Sequence, residues 1–261
     1  MKAYDVVLPT RDRPGLLYEA LRSVRDQTLG AHRIYVVDSG LSDARLDPRV
    51  SSLLSPEVEY FRGPSTWNGS QARNFGLAKC SSRYVAFLDD DDMWLPEKML
   101  RQITYLHENP TTVAVLCRAR RTSNGRSAVP FVRKANLVRL LHYDNFAGSF
   151  SFLCIDRWQT PNLWLDERLV RYQDWDFLLR LARHGSVDVV NEEHALYRDH
   201  RGARITNTDQ GRLASLRAVV LANRRFGWPR QRMWLVARYL FGKVGFERRA
   251  VGRGGAFRVM M

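Results

Sequence analysis

Four consecutive aspartates, Asp89 to Asp92, are the residues of this chain whose type and spacing most clearly indicate chemistry. This Asp run follows directly on Tyr-Val-Ala-Phe-Leu (84–88), an apolar stretch that is typical of a short buried strand. Adjacent carboxylates repel one another and cannot be buried without a compensating charge. Carboxylate oxygens are ligands that Mg²⁺ and Mn²⁺ prefer, and Mg²⁺ usually completes its shell with substrate phosphates. The Asp run therefore predicts a site for a divalent cation and a diphosphate.

A plainer interpretation of the Asp run is a solvated turn that stabilises the start of the helix expected after Pro96. Acidic side chains are favoured near helix N-termini, so this alternative has a physical basis. The apolar strand that leads straight into the run favours the metal and diphosphate interpretation.

The elements that must position this site follow a strand, helix, strand order. Residues 4–9 predict a buried strand, Pro14 begins a helix, and residues 33–37 predict a second strand. Elements of these lengths form a parallel strand pair with a helical crossover. Thr10, Asp38 and the Asp run would then all lie at carboxyl ends of strands, where open α/β sheets bind their ligands.

The later part of the chain continues this alternation of strands and helices. A hairpin turn is expected at Asn124-Gly125, and residues 118–133 and 146–164 are expected to line a pocket. The predicted strands are 58–61, 112–117, 129–132, 187–190 and 195–198, the predicted helices are 70–79, 96–108 and 172–184, and residues 48–57 are predicted to form a loop.

Composition limits the class of protein more than the reaction. The 261 residues are 45% hydrophobic, which is enough for one good-sized core. The chain has no apolar run of 18 residues and no signal peptide at its start, so we expect neither a transmembrane helix nor secretion. Three widely spaced cysteines fit a reducing cytoplasm. The net charge of +14 predicts a polyanionic neighbour such as anionic lipid, an acidic polymer or nucleic acid.

Several motifs in chain order resemble the family 2 glycosyltransferases, over roughly residues 6–206. They are Val-Val-Leu-Pro-Thr-Arg-Asp-Arg-Pro (6–14), Val-Val-Asp-Ser-Gly-Leu-Ser-Asp (36–43), Ala-Arg-Asn-Phe-Gly-Leu-Ala (72–78) with the Asp-x-Asp of the Asp run, Gln-Asp-Trp-Asp-Phe-Leu-Leu-Arg-Leu (173–181) and Tyr-Arg-Asp-His (197–200). One departure is Ser39, which stands where the family usually has a second aspartate.

This resemblance implies an α/β, Rossmann-like GT-A fold with a mixed, mostly parallel sheet flanked by helices. Residues 1–206 would form the catalytic domain and residues 207–261 a basic helical C-terminal extension. The implied activity is that of a hexosyltransferase, which moves a sugar from a nucleotide-diphosphate donor, a UDP-sugar, to a hydroxyl of a glycan, lipid-linked or other acceptor. The transfer would invert the anomeric centre, require Mn²⁺ or Mg²⁺, and serve cell-surface glycan or glycoconjugate synthesis.

The resemblance also implies roles for nine individual residues. The reaction itself requires a base at the attacking hydroxyl and charge stabilisation on the departing diphosphate. In chain order, Pro9, Thr10, Asp38 and Arg73 lie near the nucleoside, Asp89 and Asp90 near the ribose and diphosphate, Asp91 and His200 bind the metal or diphosphate, and Asp174 is the catalytic base.

Structural roles remain open for several of these residues. Asp174 could simply stabilise a helix N-terminus, Asp38 could cap a turn, and Arg73 could pair with a nearby carboxylate. For His200 an ordinary loop position is the alternative to contact with the metal or diphosphate. Arg11 and Arg13 are expected in solvent, and Asp176 is expected to stabilise its helix or position other groups rather than act as a second base. Trp94 and Trp175 are expected in the core or a pocket wall.

The C-terminal segment carries most of the excess positive charge. Residues 212–261 contain twelve Lys or Arg residues and one acidic residue, and residues 230–244 have the spacing of an amphipathic helix with a basic polar face. Either the apolar face docks on the catalytic domain or the segment binds an anionic membrane surface. The expected location is the cytoplasm, with the inner face of the membrane as a possible site of peripheral attachment.

Three other functions compete with the transferase interpretation. A nucleotide-sugar-binding partner protein without activity would show no product, whereas a nucleotidyltransferase would use an Asp-rich metal site and release pyrophosphate. Nucleic-acid binding is suggested by charge alone, and no recognition-helix or aromatic-stacking motif supports it.

Overall fold

The computed structural model describes residues 3–127, 149–169 and 171–198 of the chain. Strands and helices alternate through the first half, whereas the second half is richer in strands. In chain order the elements are β1 (Tyr4–Thr10), α1 (Pro14–Arg25), β2 (Arg33–Asp38), α2 (Pro48–Ser51), β3 (Val58–Arg62), α3 (Gly69–Lys79), β4 (Tyr84–Phe87), β5 (Met93–Trp94), α4 (Lys98–Glu108), β6 (Thr112–Arg121), β7 (Leu153–Asp156), α5 (Gln173–Leu181) and β8 (Ser186–Tyr197).

Within the described residues, the strands form one sheet of eight, in the order β3-β2-β1-β4-β7-β6-β8-β5. The pairs β1–β2, β1–β4, β2–β3 and β6–β8 are parallel, whereas β4–β7, β6–β7 and β5–β8 are antiparallel. The predicted mixed, mostly parallel sheet flanked by helices is therefore confirmed. Because β1, β2 and β4 run in one direction, their carboxyl ends meet at one edge of the sheet.

The core forms because the central strands are apolar on both faces. Every residue of β4 is buried, and so are five of the six residues of β2, as expected for parallel strands that are covered on both sides. Helix α3 lies against β1 at Gly76, where an added Cβ would be 2.6 Å from Val7 Cγ1. A larger residue would push the helix off the strand, so glycine sets the closeness of this contact.

The structure differs from the sequence-based expectations in the irregular parts of the chain. Residues 48–51 form a short helix that Asp47 caps by accepting a hydrogen bond from Arg49 N, where we expected a loop. The two short strands expected at 187–190 and 195–198 are one strand, β8, with irregular pairing near Arg118. The expected strand at 112–117 continues through Arg121 because β8 pairs with its full length.

Some expectations concern parts of the chain outside the described residues. These are the returning strand at 129–132, His200, the domain boundary after residue 206 and the basic C-terminal extension. The hairpin turn at Asn124-Gly125 is present, with Gly125 in the left-handed conformation and a hydrogen bond from Arg121 N to Arg126 O. No helix of the described part of the chain is long and apolar enough to cross a membrane.

Lys98 is an ionisable residue that is fully buried at the start of α4. Its Nζ donates to Gln102 Oε1 at 2.7 Å and lies 4.0 Å from the centroid of the Trp94 ring. Gln102 Nε2 in turn donates to the carbonyl oxygens of Val115 and Phe152, so this side chain ties α4 to β6 and β7. Burial lowers the pKa of Lys98, because the loss of hydration disfavours the charged ammonium.

The lowered pKa predicts a pH-dependent contribution of Lys98 to stability. Between the folded-state pKa and the unfolded value of about 10.4, the unfolded chain binds more protons, so the free energy of unfolding rises with pH. Lys98→Met removes this term. The stability of the wild type minus that of the variant should increase by up to about 1.4 kcal/mol per pH unit inside this window.

Urea unfolding of both proteins at several pH values between 7 and 10 measures this difference. Lys79→Met makes the same chemical change at an exposed position and serves as the control. If the free energies of unfolding of the wild type and Lys98→Met changed in parallel with pH, the lowered pKa of Lys98 would be contradicted.

Candidate active site

Three polar clusters meet at the carboxyl edge of the sheet, as the strand order requires. Thr10 ends β1, Asp38 ends β2, and the Asp run follows β4. The Thr10 hydroxyl donates to Asp90 Oδ2 at 2.8 Å, and Ser39 N donates to Thr10 O at 3.0 Å. The structure therefore brings Thr10 and Asp90, which are 80 positions apart, into direct contact. The three clusters lie together at the sheet edge, as the sequence predicted.

Asp90 is the member of the Asp run that is held most firmly by β1 and the turn after it. Besides Thr10, its partners are Arg11 N and Arg13 Nη1, the latter at 3.2 Å. Burial raises the pKa of Asp90 to about 6, with a smaller contribution from Asp91, whereas the Arg13 guanidinium lowers it. These contacts show that Asp90 anchors the Asp run to β1.

Arg13 is not simply solvated as expected, because it pairs with two carboxylates of the Asp run, whereas Arg11 is exposed as expected. Arg13 Nη1 bonds to Asp90 and also lies 3.3 Å from Asp91 Oδ2. The Arg13 guanidinium therefore pairs with two carboxylates at once. Arg11 donates to the carbonyl oxygens of Ser65 and Trp67. The sequence signal for Arg13 was its position directly before Pro14, at the end of a turn that faces the Asp run.

Asp89, Asp91 and Asp92 form the group that could hold a cation. One carboxylate oxygen from each lies within 4.8 Å of the others. The Ser149 hydroxyl is 3.2 Å from Asp89 Oδ2 and 3.1 Å from Asp92 Oδ2, and Arg198 N donates to Asp92 Oδ1. Burial, together with the charges of Asp91 and Asp89, raises the pKa of Asp92 to about 8.

This set of oxygens fits Mn²⁺ or Mg²⁺. Three carboxylates that repel one another at this separation would be stabilised by a hard divalent cation, and Asp91 retains some exposure through which a substrate phosphate can complete the shell. The sequence predicted Asp91 in this role and missed Asp92, although its place in the Asp run was the available signal. Ser149 was missed because no motif surrounds it.

Asp38 lies beneath the site rather than in its wall. The side chain is fully buried, and its oxygens accept hydrogen bonds from Gly40 N, Ala44 N, the Tyr60 hydroxyl and Arg62 Nη1. The turn that follows it is tight, since a Cβ at Gly40 would be 3.0 Å from Asp38 Oδ1. The capping role that the sequence left open is therefore present, and contact with a nucleoside stays a prediction.

A cavity of about 380 Å³ opens between β1, the Asp run and α3. Arg73 is nearly buried in its wall, where it pairs with Asp89 through Nη2 and lies 4.4 Å from the centroid of the Phe150 ring. Six of the residues with a predicted donor-site role line this cavity: Pro9, Thr10, Arg73, Asp89, Asp90 and Asp91.

A second cavity of about 150 Å³ adjoins the first and contains Asp174. Asp174 is the second residue of α5, and its Oδ1 accepts a hydrogen bond from Trp175 N at 2.9 Å. Arg73, Asp89 and Gln173 line both cavities, so the two form neighbouring parts of one site.

Other residues of α5 have the structural roles expected of them. Asp176 is buried and bonds to Arg180 one turn later, and Trp175 is largely buried against the core. His200 lies outside the described residues, so its predicted contact with the metal or diphosphate has no position here.

The chain belongs to glycosyl transferase family 2, whose model matches residues 5–158, more than half of the sequence. A curated relative from Escherichia coli K12, described as putative colanic acid biosynthesis glycosyl transferase WcaA, is 23% identical over 78% of this chain and 75% of its own length. The uncharacterized glycosyltransferase RC0461 of Rickettsia conorii is 30% identical over 40% of this chain, which spans only 17% of that relative.

Solved structures of glycosyltransferases share this fold. S. aureus TarS 1-349 in complex with UDP-GlcNAc has a TM-score of 0.64 at 15% identity, over 85% of this chain and 67% of that one. Mannosyltransferase PcManGT from Pyrobaculum calidifontis, in complex with GDP-Man and Mn²⁺, has a TM-score of 0.59 at 15% identity, over 83% and 64%. The predictions of family 2 membership, of a GT-A α/β fold and of a transferase family are thus confirmed.

The geometry of the Asp run predicts which carboxylate matters for cation binding. Asp91→Asn should lower Mn²⁺ affinity by at least about tenfold, because a charged ligand is replaced by a neutral amide. Asp90→Asn should lower it less, because that carboxylate is held by Thr10 and Arg13 and is outside the group of three.

Titration calorimetry with Mn²⁺ alone on each purified variant provides the measurement. A larger loss of Mn²⁺ affinity in Asp90→Asn than in Asp91→Asn would contradict the group of Asp89, Asp91 and Asp92 as the ligands of the cation.

Proposed function

We propose that this protein is a metal-dependent glycosyltransferase that moves a sugar from a nucleotide-diphosphate donor to an acceptor hydroxyl. The observation that carries the proposal is the meeting of two cavities around Arg73, Asp89 and Gln173. One cavity contains the carboxylates suited to a cation and diphosphate, and the other contains Asp174. The departing diphosphate and the base at the attacking hydroxyl can therefore be held in neighbouring positions.

The larger cavity supports donor binding. Its floor is the carboxyl edge of β1 with Pro9 and Thr10, and α3 provides the wall on which Arg73 lies. Arg73 is nearly buried there and pairs with Asp89, so a fixed positive charge lies beside the place proposed for the diphosphate. A UDP-sugar is the donor class that we propose, supported by the structure of the TarS neighbour with UDP-GlcNAc.

Asp174 is proposed to act as the general base. A base must reach the proton of the attacking hydroxyl, and Asp174 lines the cavity next to the donor site rather than the carboxylate group itself. A bound divalent cation would supply charge stabilisation to the departing diphosphate at Asp89, Asp91 and Asp92. One base opposite one leaving group favours single displacement, so we propose inversion of the anomeric centre.

The acceptor is proposed to be a hydroxyl of a glycan or lipid-linked sugar in cell-surface polysaccharide synthesis. The support is that one relative, WcaA, is described as a putative colanic acid biosynthesis glycosyl transferase and another, AmsB from Erwinia amylovora, as an amylovoran biosynthesis glycosyltransferase. The competing functions have distinct products. A nucleotidyltransferase would release pyrophosphate instead of a nucleoside diphosphate, and a binding partner without activity would release neither.

Asp174→Asn should separate the chemical step from donor binding. The amide keeps the shape and one acceptor oxygen, so the fold and donor affinity should be nearly unchanged, whereas turnover should fall by about 10² to 10⁴. Release of nucleoside diphosphate is measured with a donor panel, Mn²⁺ and a working acceptor.

The matched control is Asp176→Asn, the same change two residues later at a carboxylate that bonds Arg180. Near-normal turnover in Asp174→Asn together with a large loss in Asp176→Asn would transfer the role of base to Asp176. Loss of donor affinity comparable to that of Asp91→Asn would instead assign Asp174 to the metal site.

The basic C-terminal segment is proposed to attach the protein to anionic lipid. Removal of residues 230–261 should reduce binding to vesicles that contain phosphatidylserine at low salt, because Lys and Arg near such a surface contribute about 1 kcal/mol each. Vesicle sedimentation compares the two proteins. Equal binding would eliminate attachment through this segment, and an insoluble truncated protein would favour docking of the segment on the catalytic domain.

A further inference from the structure

We propose that Arg73 and Gln173 together position the base, by connecting the carboxylate Asp89 to the first turn of α5. Arg73 Nη2 pairs with Asp89, and Arg73 Nη1 donates to Gln173 Oε1 at 3.2 Å. Gln173 is the residue directly before Asp174. This inference rests on the proposed function, since it assigns a positioning role within the same site.

The start of α5 needs such an anchor because it has no ordinary cap. The residue at the N-cap position is Tyr172, whose side chain makes no capping hydrogen bond and whose backbone is left-handed, with φ 58° and ψ 27°. A bulky residue in this conformation is strained, and a Ser, Thr, Asn or Asp that would satisfy the first N–H groups is missing from the position. Asp174 is therefore attached to a helix start whose N-cap residue provides no side-chain cap.

The side-chain amide of Gln173 holds the start of α5 through two hydrogen bonds, one from its nitrogen and one to its oxygen. Its Nε2 donates to Leu169 O at 2.8 Å, and its Oε1 accepts the hydrogen bond from Arg73. The first of these bonds closes the segment that leads into the helix, and the second fixes that segment to α3. A side chain with only one of these groups could not do both.

Close approach at the junction requires a glycine. A Cβ added at Gly69 would lie 2.6 Å from Arg73 Nη1 and 3.2 Å from Gln173 Oε1. The first residue of α3 is thus shaped to leave room for the contact between Arg73 and Gln173.

Two neighbouring contacts hold the segment before α5 against the same helix. Asn74 exchanges hydrogen bonds with the backbone of Leu165, through Nδ2 to the carbonyl at 3.0 Å and through Oδ1 from the N–H at 2.8 Å. Asn68, which caps α3, donates to Glu167 O at 2.7 Å. Helix α3 is therefore a common support for the donor cavity and for the segment that carries the base.

This arrangement has a specific kinetic consequence. Gln173→Met keeps the volume and removes both hydrogen bonds, so turnover should fall by about 10- to 100-fold, because a small misplacement of a catalytic group has an effect of this size. Donor affinity should change by no more than about twofold, since Asp89, Asp91 and the rest of Arg73 are untouched. Gln159→Met is the matched control, because Gln159 also bonds through its amide but contacts Asp156 and Thr112 away from the site.

A double-mutant cycle tests whether Arg73 and Gln173 act as one unit. Arg73→Lys keeps the positive charge beside Asp89 but cannot bridge two partners with one planar group. If the pair acts together, turnover of the double variant should be no lower than that of the worse single variant. Losses of turnover that multiply in the double variant, or an equal loss of turnover and donor affinity in Gln173→Met, would overturn the positioning role. The donor affinity of Arg73→Lys does not enter this comparison, because Arg73 pairs with Asp89 in the donor cavity.

Hydrogen exchange provides a readout that does not depend on transferase activity. In Gln173→Met and in Arg73→Lys, the amides of Asp176 and Phe177 should exchange faster than in the wild type, whereas Gln159→Met should leave them unchanged. Unaltered exchange in both site variants overturns the inference even if the wild type transfers sugar. If the two site variants exchange faster but the wild type transfers no sugar, the positioning link between Arg73 and Gln173 would be upheld and the proposed function rejected.

Discussion

The placement of several adjacent carboxylates at one edge of the sheet is the constraint on which the rest of this structure depends. The Asp run leaves β4 at a point where burial is nearly complete for Asp90 and Asp92, and such charges need donors close by. The donors come from distant parts of the chain: Thr10 and Arg13 from the first strand and turn, Arg73 from α3, Ser149 from the segment before β7, and Arg198 from the end of β8. Misplacement of any of these elements would leave a buried charge without a partner.

The division of labour among the four aspartates follows from this constraint. Asp90 is held by the first strand and the turn after it, so the run is anchored there. Asp89 is shared between Arg73 and Ser149, which connects it to two further elements. A sequence of identical residues thus gives one anchor and a group of three, because each position in the turn meets different surroundings.

Much of the fold could be predicted from sequence because its signals are local. Strands β1, β2 and β4 are apolar runs, and the helices α1, α3 and α4 have regular apolar spacing, so both were recognised within a few residues of their bounds. The convergence of Thr10, Asp38 and the Asp run followed from the parallel order alone. Strand β8 was divided in two because its middle, around Asn191, is polar and half exposed, although pairing with β6 carries the strand through.

The pairings inside the site could not be predicted because they depend on distance in space rather than on residue type. The place of Arg13 before Pro14 indicated a turn near the Asp run but not which two aspartates it would join, and Ser149 stands in no motif. The sequence also does not predict that four donors bond to Asp38, since two of them, Tyr60 and Arg62, come from β3. Residue types indicated that a charged site was present, and only the fold determined which charges meet.

Strand β8 begins beside the start of β6 and ends at the Asp run. Its last residues pair with Met93 and Trp94, and Arg198 then contacts Asp92 through its backbone and Glu19 through its guanidinium. The main chain therefore leaves the described fold at the rim of the site. The end of β8 is thus fixed to the Asp run and to α1 at the same time, so any displacement of this strand end acts directly on the carboxylates.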